Sequence, residues 1–129
     1  MLGYITLGSN DIERSRAFYN GLLPLVGGKE LMKFSDSFYI YGTGMDRTAI
    51  AITTPYNGEA AAGGNGNMAA IVVNDRALVH DLHAKALELG GTCDGPPGLR
   101  GDEGPMAFYA AYFRDPDGNK LCAYKMGPA

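Results

Sequence analysis

The residues able to do chemistry in this chain are few, and their spacing excludes most catalytic sets. The two histidines, His80 and His83, lie three apart in HDLH, so a helix puts them on one face. That spacing allows a metal pair with Asp81. On a helix outside a sheet, the same residues read as solvated or hydrogen-bonded side chains. The two cysteines, Cys93 and Cys122, are too few for a disulfide framework and match no zinc motif, so they read as reduced thiols. No histidine is near Cys122 in sequence and no helix starts there, so it reads as a buried, inert thiol. Glu59 and Glu103 both fall in loops and form no carboxylate pair for acid–base work. Arg47, Arg100 and Arg114 can each hold a carboxylate by forked hydrogen bonds. Arg100, within PPGLRGDEGP, belongs either to a lid over a cleft or to a surface salt bridge with Asp102 or Glu103.

The elements that position these residues occur twice. Residues 2–9 are apolar and β-branched, as a strand requires. Asn10 or Asp11 then caps a helix in which Ile12, Phe18 and Leu22, with Ser15 or Tyr19, recur at helical spacing. Gly27-Gly28 ends that helical unit, and strands are expected at 29–34, 37–42 and 48–54. After a glycine-rich linker at 55–66 the grammar restarts. A strand at 67–73 leads to Asn74-Asp75 and a helix carrying Leu78, Leu82, Ala86 and Leu89, stopped by Gly90-Gly91. A glycine/proline loop is expected at 95–105. Strands follow at 107–114 and 120–125, joined by Asp115-Pro116-Asp117-Gly118, a strong turn signal. One offset aligns the halves: Asp11 with Asp75, Gly27 with Gly91 and Tyr4 with Met68. The reading is one α+β domain of two βαβββ modules, 1–54 and 67–129.

Bulk properties narrow the partners. A chain of 129 residues can bury a core without covalent staples. With 46% hydrophobic and 19% charged residues it is too apolar for disorder. A net charge of −3 without a basic stripe argues against nucleic acid and anionic membranes. No apolar run reaches the ~20 residues of a membrane span, and the first residues do not read as a signal peptide. A cytoplasmic protein is therefore expected.

Three segments together carry a family resemblance. They are the opening ITLGSNDIERSRAFYNGLL, the stretch GNGNMAAIVVNDRALVHDLHAKALELGGT (64–92) and the closing FRDPDGNKLCAYK (113–125). In this order they resemble the glyoxalase/bleomycin resistance/dioxygenase (vicinal oxygen chelate) superfamily and cover most of the chain. The resemblance implies two modules whose sheets curve into half-barrels, with the helices outside. It does not choose among lyases, isomerases, dioxygenases, thiol transferases and metal-free antibiotic-binding proteins.

The resemblance also implies four cleft positions where metal-using members carry His, Gln or Glu. Here they map to Tyr4, Ile52, Met68 and Cys122. Isoleucine cannot ligate, and a thioether suits copper(I) rather than magnesium, zinc or iron(II). No metal or other cofactor is therefore expected, and the cleft reads as a pocket for a hydrophobic or aromatic small molecule. If Cys122 faces the cleft, period-two alternation brings Tyr124 with it. Phe113 then packs under the helix, and Phe108 and Tyr112 turn to the cleft side. Tyr112 and Tyr124 are either sheet aromatics favoured by β propensity or ligand-orienting phenols. The expected ligand-binding set is Tyr4, Ile52, Met68, Arg100, Phe108, Tyr112, Cys122 and Tyr124. The alternative is a glyoxalase-type lyase with an atypical site, and a homodimer is expected in either case.

Overall fold

The computed structural model describes residues 1–129. The first module runs β1 (Tyr4–Gly8), α1 (Ile12–Leu22), a 3-10 turn at Leu23–Val26, β2 (Lys29–Ser35), β3 (Phe38–Gly42) and β4 (Ala49–Thr53). The second runs β5 (Ala69–Val72), α2 (Arg76–Glu88), β6 (Thr92–Leu99), β7 (Phe108–Arg114) and β8 (Lys120–Met126). Each module folds its strands into one sheet, ordered β1-β4-β3-β2 and β5-β8-β7-β6. In both, the first strand runs parallel to the last and the other pairs are antiparallel. The helix supplies the crossover that brings the chain back alongside its first strand.

Both helices start on an aspartate. The Asp11 carboxylate accepts from the Arg14 N–H at 3.1 Å and the Asp75 carboxylate from the Leu78 N–H at 2.9 Å. On α1 the buried residues are Ser15, Phe18, Tyr19 and Leu22, and on α2 they are Val79, Leu82, His83 and Ala86. The α2 stripe thus includes Val79 and His83, with Leu78 and Leu89 only partly buried at its margins. Gly91 ends this unit for a steric reason: a Cβ there would lie 2.5 Å from the Arg114 carbonyl oxygen.

The region read as a loop from residue 95 differs. Its first part completes β6, the edge strand of the second sheet, with register shifts at Cys93/Gly95 and Gly95/Gly98. Pro96 and Pro97 have no N–H to donate, which an irregular edge strand tolerates and a central strand does not.

One core joins the modules. Phe18, Tyr19 and Leu22 of α1 and Val79, Leu82 and Ala86 of α2 share it with residues of both sheets. The helices cover one face of each sheet and leave the other face open.

The turn at Asp115–Asn119 locks this arrangement. Asp115 is buried, and its carboxylate accepts from the Tyr19 hydroxyl (2.7 Å) and from Asp117 N–H, Asn119 N–H and Asn119 Nδ2 (2.9 Å each). Asn119 Nδ2 also donates to the Gly8 carbonyl at 2.9 Å, and Asp117 Oδ1 accepts from Asn10 N–H and from Arg14, both at 2.8 Å. Gly118 allows this compact turn because its φ of 86° is in the left-handed region. The turn closing the second module is thus also the clasp on β1 and α1 of the first.

Candidate functional site

Strand alternation assigns the open faces. In β7, Ala111 and Phe113 enter the core, so Phe108, Ala110 and Tyr112 face the other way. In β8, Leu121 and Ala123 enter the core, which leaves Cys122 and Tyr124 on the open face. The cross-strand register sets Tyr112 opposite Cys122 and Ala110 opposite Tyr124. The Phe108 and Tyr124 rings lie 5.3 Å apart, tilted by 32°. Lys120 Nζ and the Arg100 guanidinium each stand 5.2 Å from the Tyr112 ring centroid. Five of the expected residues, Arg100, Phe108, Tyr112, Cys122 and Tyr124, therefore converge on one open face. Met68 precedes β5 in phase with Ala70, which is opposite Cys122.

Arg100 makes no salt bridge with Asp102 or Glu103. It donates to the Gly98 and Pro96 carbonyls at 2.9 and 2.7 Å, which folds the guanidinium back over its own strand. Glu103 pairs with Arg76 instead. The Cys122 thiol is fully buried. Burial pushes its pKa up, against the opposing pull of Arg100 and Lys120, and keeps it protonated at neutral pH.

Tyr4 belongs to the first sheet. It is half exposed and meets the Phe38 ring edge-on at 6.0 Å. Ile52 requires correction. It is buried in the main core with Tyr19 and Tyr39, on the helix face of β4. The open-face neighbour of the first strand is Ala51, which pairs with Thr6 and clusters with Ala49 and Ile40.

Three cavities accompany these faces. An apolar groove of ≈ 480 Å³ separates the β1 edge, at Leu2 and Ile5, from Met68–Val72. A polar cavity of ≈ 450 Å³ lies between Thr6, the glycine-rich segment 63–67 and Lys120. A broader hollow of ≈ 1030 Å³ covers the first sheet near Phe34, Phe38 and Tyr56. Of the expected residues only Met68 lines any of them, so within one chain the two sheets do not enclose a common pocket around the expected set.

The metal that the resemblance implies can be tested against these donors, and they do not fit it. Ala51 has no donor atom, Met68 offers only a thioether, and Cys122 is a protonated thiol in an apolar setting. His80, His83 and Asp81 form no three-ligand group with any other side chain. His80 Nε2 lies 2.6 Å from the Tyr109 hydroxyl, and His83 Nε2 lies 3.2 Å from Cys93 Sγ. Both histidines are satisfied by contacts that cross from α2 to neighbouring strands. Neither contact carries a signal in the sequence, because each depends on the strand register. No helix is long and apolar enough to cross a membrane.

Comparison with known proteins agrees with the architecture. A family model described as Glyoxalase/Bleomycin resistance protein/Dioxygenase superfamily matches residues 1–123. A glyoxalase/bleomycin resistance protein from Albidiferax ferrireducens T118 is 36% identical, with a TM-score of 0.83 over 97% of this chain and 98% of that one. The fosfomycin resistance protein FosX of Mesorhizobium loti shares the fold at 21% identity and TM-score 0.69, over 97% of this chain and 91% of its own. A lactoylglutathione lyase from Agrobacterium tumefaciens does so at 18% and 0.66, over 97% and 92%. No protein of curated function matches the sequence. With the repeated module, the clasp turn and this match over nearly its whole length, the chain belongs to the glyoxalase/bleomycin resistance protein/dioxygenase superfamily.

Proposed function

We propose that the chain binds a small aromatic or hydrophobic molecule on the open face of the second sheet. The carrying observation is the convergence of Phe108, Tyr112 and Tyr124 with Arg100 and Lys120 on that face. Aromatic rings supply stacking area, and Arg100 with Lys120, the latter 3.5 Å from the Asp94 carboxylate, favours a ligand with an anionic group. The four family positions hold no donor set for a hard divalent ion, so the reading rests on packing and charge. A homodimer completes it. Phe34, Met68 and Val72 are exposed at 75%, 45% and 65%, and a second copy's sheet can cover them and wall the ligand. The two free thiols fit a reducing, cytoplasmic setting.

The probe is 1-anilinonaphthalene-8-sulfonate, an aromatic anion. Saturable fluorescence enhancement is expected, weakened about tenfold or more by Tyr112→Ala or Arg100→Ala, equivalent to ~1.4 kcal/mol. Binding that ignores both substitutions would end the proposal. The second reading is a glyoxalase-type lyase, favoured by the fold shared with the Agrobacterium tumefaciens enzyme. Turnover of the methylglyoxal–glutathione hemithioacetal with added nickel, zinc, manganese or iron would replace the first reading with it.

A further inference from the structure

The open face leaves one chemically competent pair unused, on the opposite side of the second sheet. Cys93 sits on the edge strand β6, paired with Phe113 of β7, where α2 crosses over it. Its residue is exposed, whereas Cys122 is buried. His83 Nε2 lies 3.2 Å from Cys93 Sγ, and the imidazole is buried, edge-on to the Phe113 ring. The thiol is the only hydrogen-bond partner of that imidazole. The irregularity between Cys93 and Gly95 turns the Gly95 N–H back to donate to the same sulfur at 3.4 Å. The sulfur of an exposed residue thus has an imidazole nitrogen on one side and a backbone donor for its anion on the other. This geometry suits a thiol that must lose its proton to react.

We propose that Cys93, supported by His83, is a thiol modification site that exchanges with low-molecular-weight disulfides. His83 Nε2 accepts the thiol proton as the Cys93 sulfur attacks one sulfur of the disulfide. The new S–S bond forms on Cys93 and the original S–S bond breaks. The departing thiolate takes the proton from His83 and leaves as a free thiol. Cys93 is oxidised, the small disulfide is reduced, and no other reactant is required. Burial and neighbouring His80 both lower the His83 pKa, so the imidazole rests neutral. This site is independent of the open face.

The test uses the intact chain with glutathione disulfide, followed by mass spectrometry of the peptides carrying each cysteine. One glutathione adduct on Cys93 is expected, none on Cys122, with reversal by dithiothreitol. His83→Gln, which keeps hydrogen-bonding capacity but accepts no proton, should slow adduct formation at Cys93 about tenfold. His80→Gln, which leaves the Cys93 contact in place, should not. An equal rate in His83→Gln, or modification of Cys122 first, would overturn the proposal. If His83→Gln does not fold, the unaltered protein still decides the matter through iodoacetamide alkylation of Cys93 in the native and urea-unfolded states. Faster alkylation in the native state, despite less exposure, supports the proposal, and slower alkylation refutes it.

Discussion

Tyr19→Phe removes one oxygen atom from the clasp and nothing else. The Tyr19 ring is fully buried, 5.0 Å from Phe18 and 6.1 Å from Tyr41, and phenylalanine fills that space. What is lost is a 2.7 Å hydrogen bond to the Asp115 carboxylate. Bonds to charged groups contribute about 1.5–3 kcal/mol. Asp115 keeps three other donors, so the loss falls near the low end, about 1.5–2 kcal/mol. For 129 residues the unfolding entropy near the midpoint is about 0.27 kcal/mol/K, so Tm should fall by about 6–7 °C. Differential scanning calorimetry and urea titration at one fixed protein concentration measure both quantities. A second signature separates the hydroxyl from general packing. Burial, and secondarily Asp115, raise the Tyr19 pKa well above 10. Below pH 10 both states hold the phenolic proton. Above it the unfolded chain loses the proton first, so stability falls as pH rises, by up to about 1.4 kcal/mol per pH unit. Tyr19→Phe should abolish its share of that alkaline slope. A Tm change under about 2 °C, or an unaltered alkaline slope, would refute the account of the clasp.

Other perturbations follow the same logic. Tyr41, pushed up to about 12 by burial and Glu30, should supply the alkaline slope remaining in Tyr19→Phe, visible in unfolding titrations between pH 10 and 12. Ile52→Ala should cost about 2–5 kcal/mol in urea unfolding, as a core cavity does, while leaving the probe's affinity intact. The His83 pKa is lowered by burial, so the unfolded chain binds its proton first as pH drops below about 6.5. Stability should therefore decline on acidification in the unaltered protein and less steeply in His83→Gln. Arg76 binds Glu103 through two bonds of 2.8 and 2.6 Å and stands over the Tyr109 ring. Arg76→Ala should speed hydrogen exchange or proteolysis around residues 100–106 while changing Tm by less than about 4 °C.

The fold was legible because its signals are local and occur twice. Asp11 and Asp75 cap helices, glycine pairs end both helical units, and apolar spacing marks the buried stripes. The open face of the second sheet was legible too, since Phe113 enters the core and alternation turns Tyr112, Cys122 and Tyr124 the other way. Ile52 failed for a physical reason. The β4 sequence AIAIT is apolar on both faces, so no polar residue marks which side meets the core. The proline-containing half of β6 failed because an edge strand tolerates residues that argue against strands elsewhere. Neither the pairing of His83 with Cys93 nor the bond from Tyr19 to Asp115 is written in any spacing. Each depends on which strand ends beside which helix, information that exists only after the chain has closed.

The clasp has a consequence for the order of synthesis. Its bonds join residues 96 to 111 positions apart, and one side of every such bond is supplied by the stretch 115–119. A nascent chain emerging from the ribosome can form α1 and β1 early, yet the buried phenol of Tyr19 and the carbonyl of Gly8 must wait for partners made 96 and 111 residues later. The first half is therefore provisional until the second arrives, and contacts of such long sequence separation favour slow, all-or-none folding over stepwise addition of finished halves.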